Sequence, residues 1–182
     1  LLLTLFLSTI SDTPRLNDAL AAWMFGAAED HLAGMPLRRA AGALPAMSEG
    51  VFVTIVRNGR VRGCFGSFQH RTTDMESLLA EYLCGALRSD PRYEPVTVSE
   101  LASSVIIVTL AEQPGEPCPV ERIDPVMEGV LIEQDAGGGV VIVPAEFRSL
   151  AAIKRRAAGS RVRPFRARTI TLIPPPALRL PE

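Results

Sequence analysis

The sequence predicts an α+β fold in which helices flank a mostly antiparallel sheet. Some stretches carry apolar residues at three- and four-residue spacing, and short β-branched runs lie between them. Two pairs of these runs are joined by turn residues, which favours hairpins and therefore antiparallel pairing. With 182 residues and a hydrophobic fraction of 47%, the chain can bury one full core. The sequence contains no internal repeat and no long linker, so we expect a single domain.

The first predicted helix begins after Asp12-Thr13-Pro14 and ends near Gly34. Asp and Thr are capping residues, and proline suits the first turn of a helix. The apolar positions that follow, at Leu16, Leu20 and Trp23, repeat at helical spacing. We therefore predict an amphipathic helix with one face on the core.

An apolar run opens the chain, and we divide the sequence around it. The run is shorter than the ~20 apolar residues that a membrane helix needs. It also lacks the basic region that precedes the apolar part of a signal peptide. We expect residues 1–14 to be a ragged apolar segment, residues 15–173 to be the domain and residues 174–182 to be a proline-rich tail. We expect no association with a membrane.

A hairpin is predicted next, because the β-branched run 51–56 precedes Asn58-Gly59, a pair typical of tight two-residue turns. The returning strand starts at Val61 and carries Cys64 between two glycines. Since side chains alternate along a strand, we predict that Arg62 and Cys64 share one face. Glycines weaken a strand, so the two beside Cys64 indicate a bulge or the close approach of another backbone or a ligand.

The remaining elements follow from caps, periodicity and helix breakers. Thr73 and Glu76 fit a capping box that starts a second helix, which ends near Arg88 before two closely spaced prolines. The other predicted elements are a strand at 104–110, a hairpin of strands 130–133 and 140–143 joined through the glycine-rich residues 135–139, a short helix at 145–157 and a strand at 167–173.

Cys64 is the first candidate for chemistry. A reactive thiol needs a nearby positive charge that lowers its pKa, and Arg62 is predicted to supply it. Gly63 and Gly66 would leave main-chain N–H groups free to bind an oxyanion, and His70 is the only nearby candidate for a base. The alternative is that Cys64 is a small structural residue, flanked by glycines because the second helix packs closely above it. The sequence leaves both open.

Asp90-Pro91-Arg92 forms a second candidate constellation. The aspartate could accept a charge-assisted hydrogen bond, and the arginine could hold a carboxylate or a phosphate in its fork. Alternatively, the two side chains only tie down a loop through local hydrogen bonds. Nothing in the spacing of the nearby glutamates selects one of them as an acid or a base.

Charge and cysteine content limit the partners. Seven basic residues and no acidic one lie between Lys154 and Arg168, although the formal net charge of the chain is −1. A solvated basic face is the commoner explanation of such a cluster, while contact with nucleic-acid phosphates stays open. The three cysteines are widely spaced and the chain has only two histidines, so we expect no metal site, no cofactor and a cytoplasmic location.

Several motifs in order resemble one known family. They are Val-Phe-Val-Thr-Ile before Asn58-Gly59, then Val-Arg-Gly-Cys-Phe-Gly-Ser-Phe at residues 61–68, then Asp-Pro-Arg-Tyr-Glu-Pro-Val at residues 90–96. This series is similar to the AMMECR-type domain family, whose members carry an Arg-Gly-Cys-x-Gly motif and a downstream Asp-Pro-Arg turn. The resemblance covers residues 15–143 well. The C-terminal part departs from the family pattern, with a shorter intervening helix.

The resemblance implies a single α+β unit in two lobes, with the Arg-Gly-Cys segment facing a groove between them. It carries over Cys64 and Arg62 as catalytic candidates, and as binding candidates Gly63, Gly66, Ser67, Asp90 and Arg92. The family has no established biochemical role. Its members often occur beside a Memo-like protein and a radical S-adenosylmethionine enzyme, the AmmeMemoRadiSam arrangement, which implies a shared modification pathway. Two hypotheses follow: an enzyme or enzyme component that uses Cys64, or a non-catalytic binding or adaptor module with a structural Cys64.

Overall fold

The computed structural model describes residues 2–134, 138–147 and 149–178, and for residues 2–16 it gives only the helical course of the main chain. Four helices and six strands lie within these ranges: α1 (Leu2–Leu32), β1 (Gly50–Arg57), β2 (Arg60–Ser67), α2 (Met75–Arg88), α3 (Val98–Leu101), β3 (Ser104–Ala111), β4 (Glu128–Glu133), β5 (Gly139–Ile142), α4 (Leu150–Arg156) and β6 (Arg161–Leu172). Single 3₁₀ turns lie at Val120–Arg122, Pro144–Glu146 and Pro176–Leu178. Among the described helices, none has the length and apolar character to cross a membrane.

The strands form one six-stranded sheet in the order β2-β1-β3-β6-β4-β5. Every neighbouring pair is antiparallel, which confirms the predicted class and architecture. The long strand β6 connects the two halves of the sheet: residues 167–172 pair with β3, and residues 161–166 pair with β4 on the opposite edge. β6 is therefore shared by two lobes.

Each lobe has its own apolar core. Helices α1 and α2 cover one face of β1 and β3, where Phe25, Leu79 and Ile106 are fully buried. The second core lies between β4, β5 and α4 and includes Val130 and Ile153. Both cores form because each amphipathic helix removes its apolar side from water against a sheet face.

A third apolar cluster lies where the lobes meet. Phe52, Val143 and Phe165 are its largest buried members, and Cys64 and Phe68 pack against them. The rings of Phe52 and Phe68 lie edge to face with centroids 5.3 Å apart, and the rings of Phe68 and Phe165 do so at 5.1 Å. Such aromatic packing adds to the area that each ring buries. We call this set the interlobe cluster.

The predicted hairpin between β1 and β2 is confirmed. Asn58 and Gly59 both have positive φ angles, 50° and 68°, as a tight type I′ turn requires. The second hairpin, β4 with β5, also forms, although residues 135–137 of its predicted turn lie outside the described residues.

Two predicted helix starts are wrong. The first helix runs through Pro14 and begins at Leu2, because the leucine-rich run before the proline also has high helix propensity. The second begins after Asp74 instead of Thr73: the Asp74 carboxylate accepts the N–H of Ser77 at 3.0 Å and so caps the first turn.

The C-terminal elements also differ from the prediction. The single helix expected at 145–157 is divided into the 3₁₀ turn Pro144–Glu146 and helix α4, which Ser149 caps by accepting the N–H of Ala152. β6 starts six residues before the predicted position 167. Proline has no main-chain N–H to donate, but β6 tolerates Pro164 because the hydrogen bond at this position needs only its carbonyl, which accepts the N–H of Gly115.

Gly63 lets α2 lie close to β2. A β-carbon on Gly63 would overlap the main-chain carbonyl oxygen of Ala86 in α2. At the second glycine of the motif, a β-carbon on Gly66 would overlap the main chain of Val51 in β1. The sequence predicted that another backbone or a ligand approaches these glycines closely, and in the structure the main chains of α2 and β1 do so.

We predict that Gly63→Ala lowers the free energy of unfolding by about 1–3 kcal/mol, because α2 has to shift to admit the methyl group. Urea denaturation measures the change. Gly115→Ala is the matched control, since its β-carbon would meet Pro164 at an ordinary contact distance of 3.5 Å, and we expect it to cost under about 1 kcal/mol. Equal effects of the two substitutions would contradict the close approach.

Candidate functional site

Cys64 lies on β2 with its side chain in the interlobe cluster. The hydroxyl of Thr54 on β1 donates a hydrogen bond to Sγ at 3.3 Å, and the main-chain N–H of Cys64 donates to Oδ2 of Asp90 at 2.9 Å. Thr54 itself is fully buried. The thiol and the main-chain N–H of Cys64 therefore both have partners within the protein.

The thiol is held in its protonated form. Burial raises the pKa of Cys64 to about 12, and the carboxylate of Glu146 adds to the shift. The hydrogen bond from Thr54 and the charge of Arg92 act in the opposite direction but are the weaker effects. A thiolate, the form that attacks substrates, is consequently a minor species at neutral pH.

Asp90 and Arg92 form the charged centre beside the cysteine. Asp90 is 6% exposed, and its carboxylate accepts from the main-chain N–H, Nε and Nη2 of Arg92 at 3.1, 2.9 and 2.8 Å. Nη1 of Arg92 then lies 2.8 Å from the carboxylate of Glu146, which follows β5. Arg92 thus joins a loop of the first lobe to a turn of the second. We call Asp90, Arg92 and Glu146 the ion bridge.

The ion bridge is strong enough to outweigh desolvation. Burial alone would raise the pKa of Asp90, but the hydrogen bonds from Arg92 and from the Cys64 N–H hold it below its usual value. The same hydrogen bonds to Asp90 raise the pKa of Arg92. Both groups therefore stay charged at physiological pH, and neither is poised to exchange a proton.

Arg62 does not share a face with Cys64, so that prediction is wrong. Val61 pairs with Val56 and Gly63 pairs with Ile55, which leaves Arg62 as the extra residue of a β-bulge. The bulge interrupts the alternation on which the prediction relied. The charges that act on the Cys64 thiol come from the ion bridge instead.

The side chain of Arg62 points to α3, a helix packed on the opposite face of the sheet. Its Nε donates to Glu100 at 2.9 Å, and Arg57 contacts the same carboxylate. The hydrogen bond from Arg62, followed by those from the main chain and side chain of Thr97, lowers the pKa of Glu100 to about 2. Leu101 beside it is buried in the core of the first lobe. The contacts of Arg62 thus fix α3 to the hairpin.

The other sequence candidates also make local contacts. His70 uses both ring nitrogens, 3.1 Å from the Tyr82 hydroxyl and 3.1 Å from the Ser48 carbonyl oxygen. Tyr82 belongs to α2, on the face of the sheet that Cys64 does not occupy, so these contacts do not bring His70 to the thiol. The Ser67 hydroxyl accepts the N–H of Gln69 within its own turn. Within the described ranges, no group of three or more His, Cys, Asp and Glu is placed to hold a metal ion.

A small cavity of about 170 Å³ opens beside the ion bridge. Val61 on β2 and Ile142 on β5 both line it, which shows that the curled sheet brings its two edge strands close together. We call it the seam cavity. Its lining residues are Val61, Arg92, Tyr93, Ile142, Glu146, Ala152, Ile153 and Arg156. Cys64 is not one of them, so the thiol lies behind the ion bridge instead of facing the cavity.

The basic segment 154–168 does not form one patch. Lys154 pairs with Glu121, and Arg161 and Arg163 both pair with Glu133. The arginines of this segment that line cavities are divided among three of them: the seam cavity has Arg156, a separate groove has Arg166 and Arg168, and a third cavity has Arg161. This arrangement favours the reading of a solvated, partly paired surface over a continuous phosphate-binding face.

Sequence analysis did not identify Glu146, the residue that completes the ion bridge. It follows Val143-Pro144-Ala145, a stretch without a spacing that selects it, and it reaches Arg92 only because the sheet curls. Tyr93 was visible as part of the Asp-Pro-Arg-Tyr motif, and the guanidinium of Arg92 lies 5.3 Å from its ring centroid. Thr54 lies opposite Cys64 because of the bulge at Arg62, since the Asn58-Gly59 turn alone would pair it with Gly63.

The fold and the site define a class: single-domain α+β proteins with one antiparallel sheet, in which an Arg-Gly-Cys strand and an Asp-Pro-Arg turn meet at the junction of two lobes. A family model described as AMMECR1 matches residues 16–156 of the chain. The match spans well over half of the sequence. The chain therefore belongs to the AMMECR1 family, as the resemblance implied.

Two relatives with sequence similarity come from the genera Methanococcoides and Methanosarcina. A protein of Methanococcoides burtonii is 37% identical over 65 residues, which cover 36% of this chain and 32% of that protein. One of Methanosarcina barkeri is 34% identical over 101 residues, covering 51% of this chain and 48% of the relative. Each match thus spans half or less of the relative's length. These relatives carry no assigned function.

A solved structure with the same fold is that of an uncharacterised protein from Pyrococcus horikoshii. The TM-score is 0.66, and the superposition covers 85% of this chain and 90% of the other. Sequence identity is 18%, so this likeness concerns the fold alone.

We predict that Arg92→Ala lowers the free energy of unfolding by about 3–5 kcal/mol, because it leaves two poorly exposed carboxylates without their common partner. Thermal and urea denaturation measure the loss. Arg161→Ala is the matched control: it also removes an arginine from a carboxylate, but its side chain is 76% exposed and should contribute under about 1 kcal/mol. A loss for Arg92→Ala no larger than for the control would show that the ion bridge is not structural.

Proposed function

We propose that this AMMECR1-family chain is a non-catalytic binding module in which Cys64 is a structural residue. The observation that carries the proposal is the state of the thiol, whose pKa burial raises to about 12. A nucleophilic cysteine needs a lowered pKa or an adjacent base. Cys64 has a raised pKa, and the nearby histidine makes its contacts on the other face of the sheet.

The main-chain donors of the Arg-Gly-Cys segment also support a structural role. An oxyanion site needs N–H groups that point at empty space where the charge develops. The N–H of Cys64 instead donates to Asp90, and Gly63 packs against α2. The segment therefore uses its special residues for packing and for anchoring the ion bridge.

The seam cavity is the recognition site that we propose for this module. It is concave, it joins apolar walls from β2, β5 and α4 to charged groups, and its volume of about 170 Å³ suits one side chain or a comparably small group. The Arg156 side chain at its rim is exposed, and no ion pair to it occurs among the described residues. A partner segment with an acidic group next to an apolar one fits this lining.

As partners we propose a Memo-like protein and a radical S-adenosylmethionine enzyme, acting in the cytoplasm. The family resemblance supports this pairing, because members often occur beside those two proteins. In such a pathway the module would hold a partner in place while the radical enzyme supplies the chemistry.

The alternative function is an enzyme or enzyme component that uses Cys64 as a nucleophile. One observation favours it: the charge of Arg92 acts on the thiol and lowers its pKa, which is the direction that a nucleophile requires. The two functions differ in the expected reactivity of Cys64.

We predict that Cys64 in the folded protein resists alkylation by iodoacetamide from pH 7 to pH 9. The protein for this measurement carries Cys84→Ala and Cys118→Ala, so that one thiol remains. Mass spectrometry follows the modified fraction, and the same protein in urea is the control in which Cys64 should react at the rate of a free thiol. Fast modification with an apparent pKa well below the ~8.5 of free cysteine would support the enzyme instead.

We further predict that Arg156→Glu weakens binding of the purified Memo-like protein from the same genome by at least about tenfold, since the charge at the rim of the seam cavity is reversed. Isothermal titration calorimetry gives the dissociation constants. Arg155→Glu, one position away on the same helix and outside the cavity lining, is the matched control. Unchanged binding by Arg156→Glu, or no binding by the unaltered chain, would remove the support for this partner and site.

A further inference from the structure

The main-chain groups of β6 point alternately to its two sides, and two hydrogen bonds fix which residues point where. The carbonyl of Arg166 accepts the N–H of Glu112, on the β3 side, at 2.9 Å. The N–H of Ala167 donates to the carbonyl of Met127, on the β4 side, at 3.1 Å. Since the direction alternates residue by residue, the N–H and C=O groups of Thr169 and Thr171 point to the β4 side.

No strand lies beside Thr169 and Thr171 on that side within the described residues. β4 begins at Glu128, which pairs with Arg166, and the chain before it turns away through the bond from the Glu128 N–H to the Asp124 carbonyl at 2.8 Å. Thr169 and Thr171 are both exposed. The C-terminal half of β6 therefore presents four main-chain hydrogen-bonding groups at an open edge, a feature that sheets usually cover or pair.

A groove of about 600 Å³ reaches β6 at residues 166–168, where the open edge begins. Arg166 and Arg168 line it from β6, and neither has an ion pair among the described residues. Met127, which is 58% exposed, and Met47, which is 39% exposed, provide apolar surface on its two sides. Exposed methionines are common on surfaces that bind other chains.

The groove also contains three carboxylates, and two of them accept main-chain N–H groups. Asp124 accepts the N–H of Val126 at 2.9 Å, and Glu128 accepts the N–H of Asp124 at 2.8 Å. Glu112 lines the groove on the β3 side, whereas Arg168 lies next to the open edge. On β6 itself the charged side chain next to the open edge is Arg168, so the residue that an added strand places opposite it meets a positive charge.

We propose that this edge binds an extended peptide segment of a partner protein, added as a strand antiparallel to β6 in line with β4. An extended strand is the one occupant that can pair with the N–H and C=O groups of Thr169 and Thr171. The residue of the added strand opposite Arg168 would share its face, so a carboxylate there complements the charge. This surface goes beyond the seam cavity, since no residue lines both cavities.

The test uses the synthetic peptide acetyl-Val-Thr-Val-Thr-Glu-amide, with a fluorescent label for polarisation measurements. Its C-terminal glutamate is placed opposite Arg168 and its two threonines opposite Thr169 and Thr171, beyond the end of β4. We expect saturable binding below about 1 mM, the weak range for one short segment. On binding, amide hydrogen exchange of Thr169 and Thr171 should slow, while exchange elsewhere on β6 should change little. The same peptide with N-methyl groups on its two threonines should lose binding, because it cannot donate to the edge.

Charge specificity is tested with Arg168→Glu. This variant should bind the glutamate peptide at least about tenfold more weakly and bind a peptide with lysine in place of glutamate more tightly. Arg155→Glu, on α4 and outside the groove, should bind both peptides as the unaltered chain does.

Four results would overturn the proposal: no binding at about 1 mM, unchanged exchange at Thr169 and Thr171, equal affinity for the N-methylated peptide, or equal effects of Arg168→Glu and Arg155→Glu. A concentration-dependent dimer that protects the same two amides in the absence of peptide would show that a second copy of the chain occupies the edge instead. None of these outcomes depends on Cys64 or on the seam cavity.

Discussion

The burial of one carboxylate, that of Asp90, determines how the two lobes meet. A charge that is removed from water needs hydrogen bonds and an opposite charge to stay ionised. Asp90 obtains four hydrogen bonds, three from Arg92 and one from the main chain of Cys64. Arg92 is fixed by this arrangement and extends to Glu146 in the other lobe. The approach of the two edge strands, and with it the seam cavity, depends on this set of contacts.

The packing at the junction of the lobes also explains the Arg-Gly-Cys sequence, and this explanation does not require a reactive thiol. Arg62 leaves the ladder at a bulge and anchors α3, Gly63 admits the backbone of α2, and Cys64 fills the junction of the lobes. Three consecutive residues thus have three different structural roles. A motif of this kind can therefore mark a precise structural junction as readily as a reactive centre, and here the protonated state of the thiol favours the junction.

The sequence predicted those features that depend on local chemistry. The hairpin at Asn58-Gly59, the glycine contacts and the antiparallel class follow from turn geometry, steric size and periodicity, which neighbouring residues determine. The misplaced face of Arg62 and the unrecognised Glu146 have a different origin, because a bulge and a curled sheet arise from pairing between distant segments. Family resemblance pointed to Asp90 and Arg92, but not to the glutamate that they meet.

The position of β6 near the end of the described chain affects the order in which the protein can form during synthesis. β3 and β4 have no hydrogen-bonded contact with each other in the sheet, and both pair with β6. The ribosome releases residues 161–172 after all the other strands, so hairpins of both lobes can form while their shared neighbour is still missing. Until it arrives, one edge of β3 and one edge of β4 remain open to wrong partners. Both edges are closed by this one strand, so completion of each lobe depends on the same element.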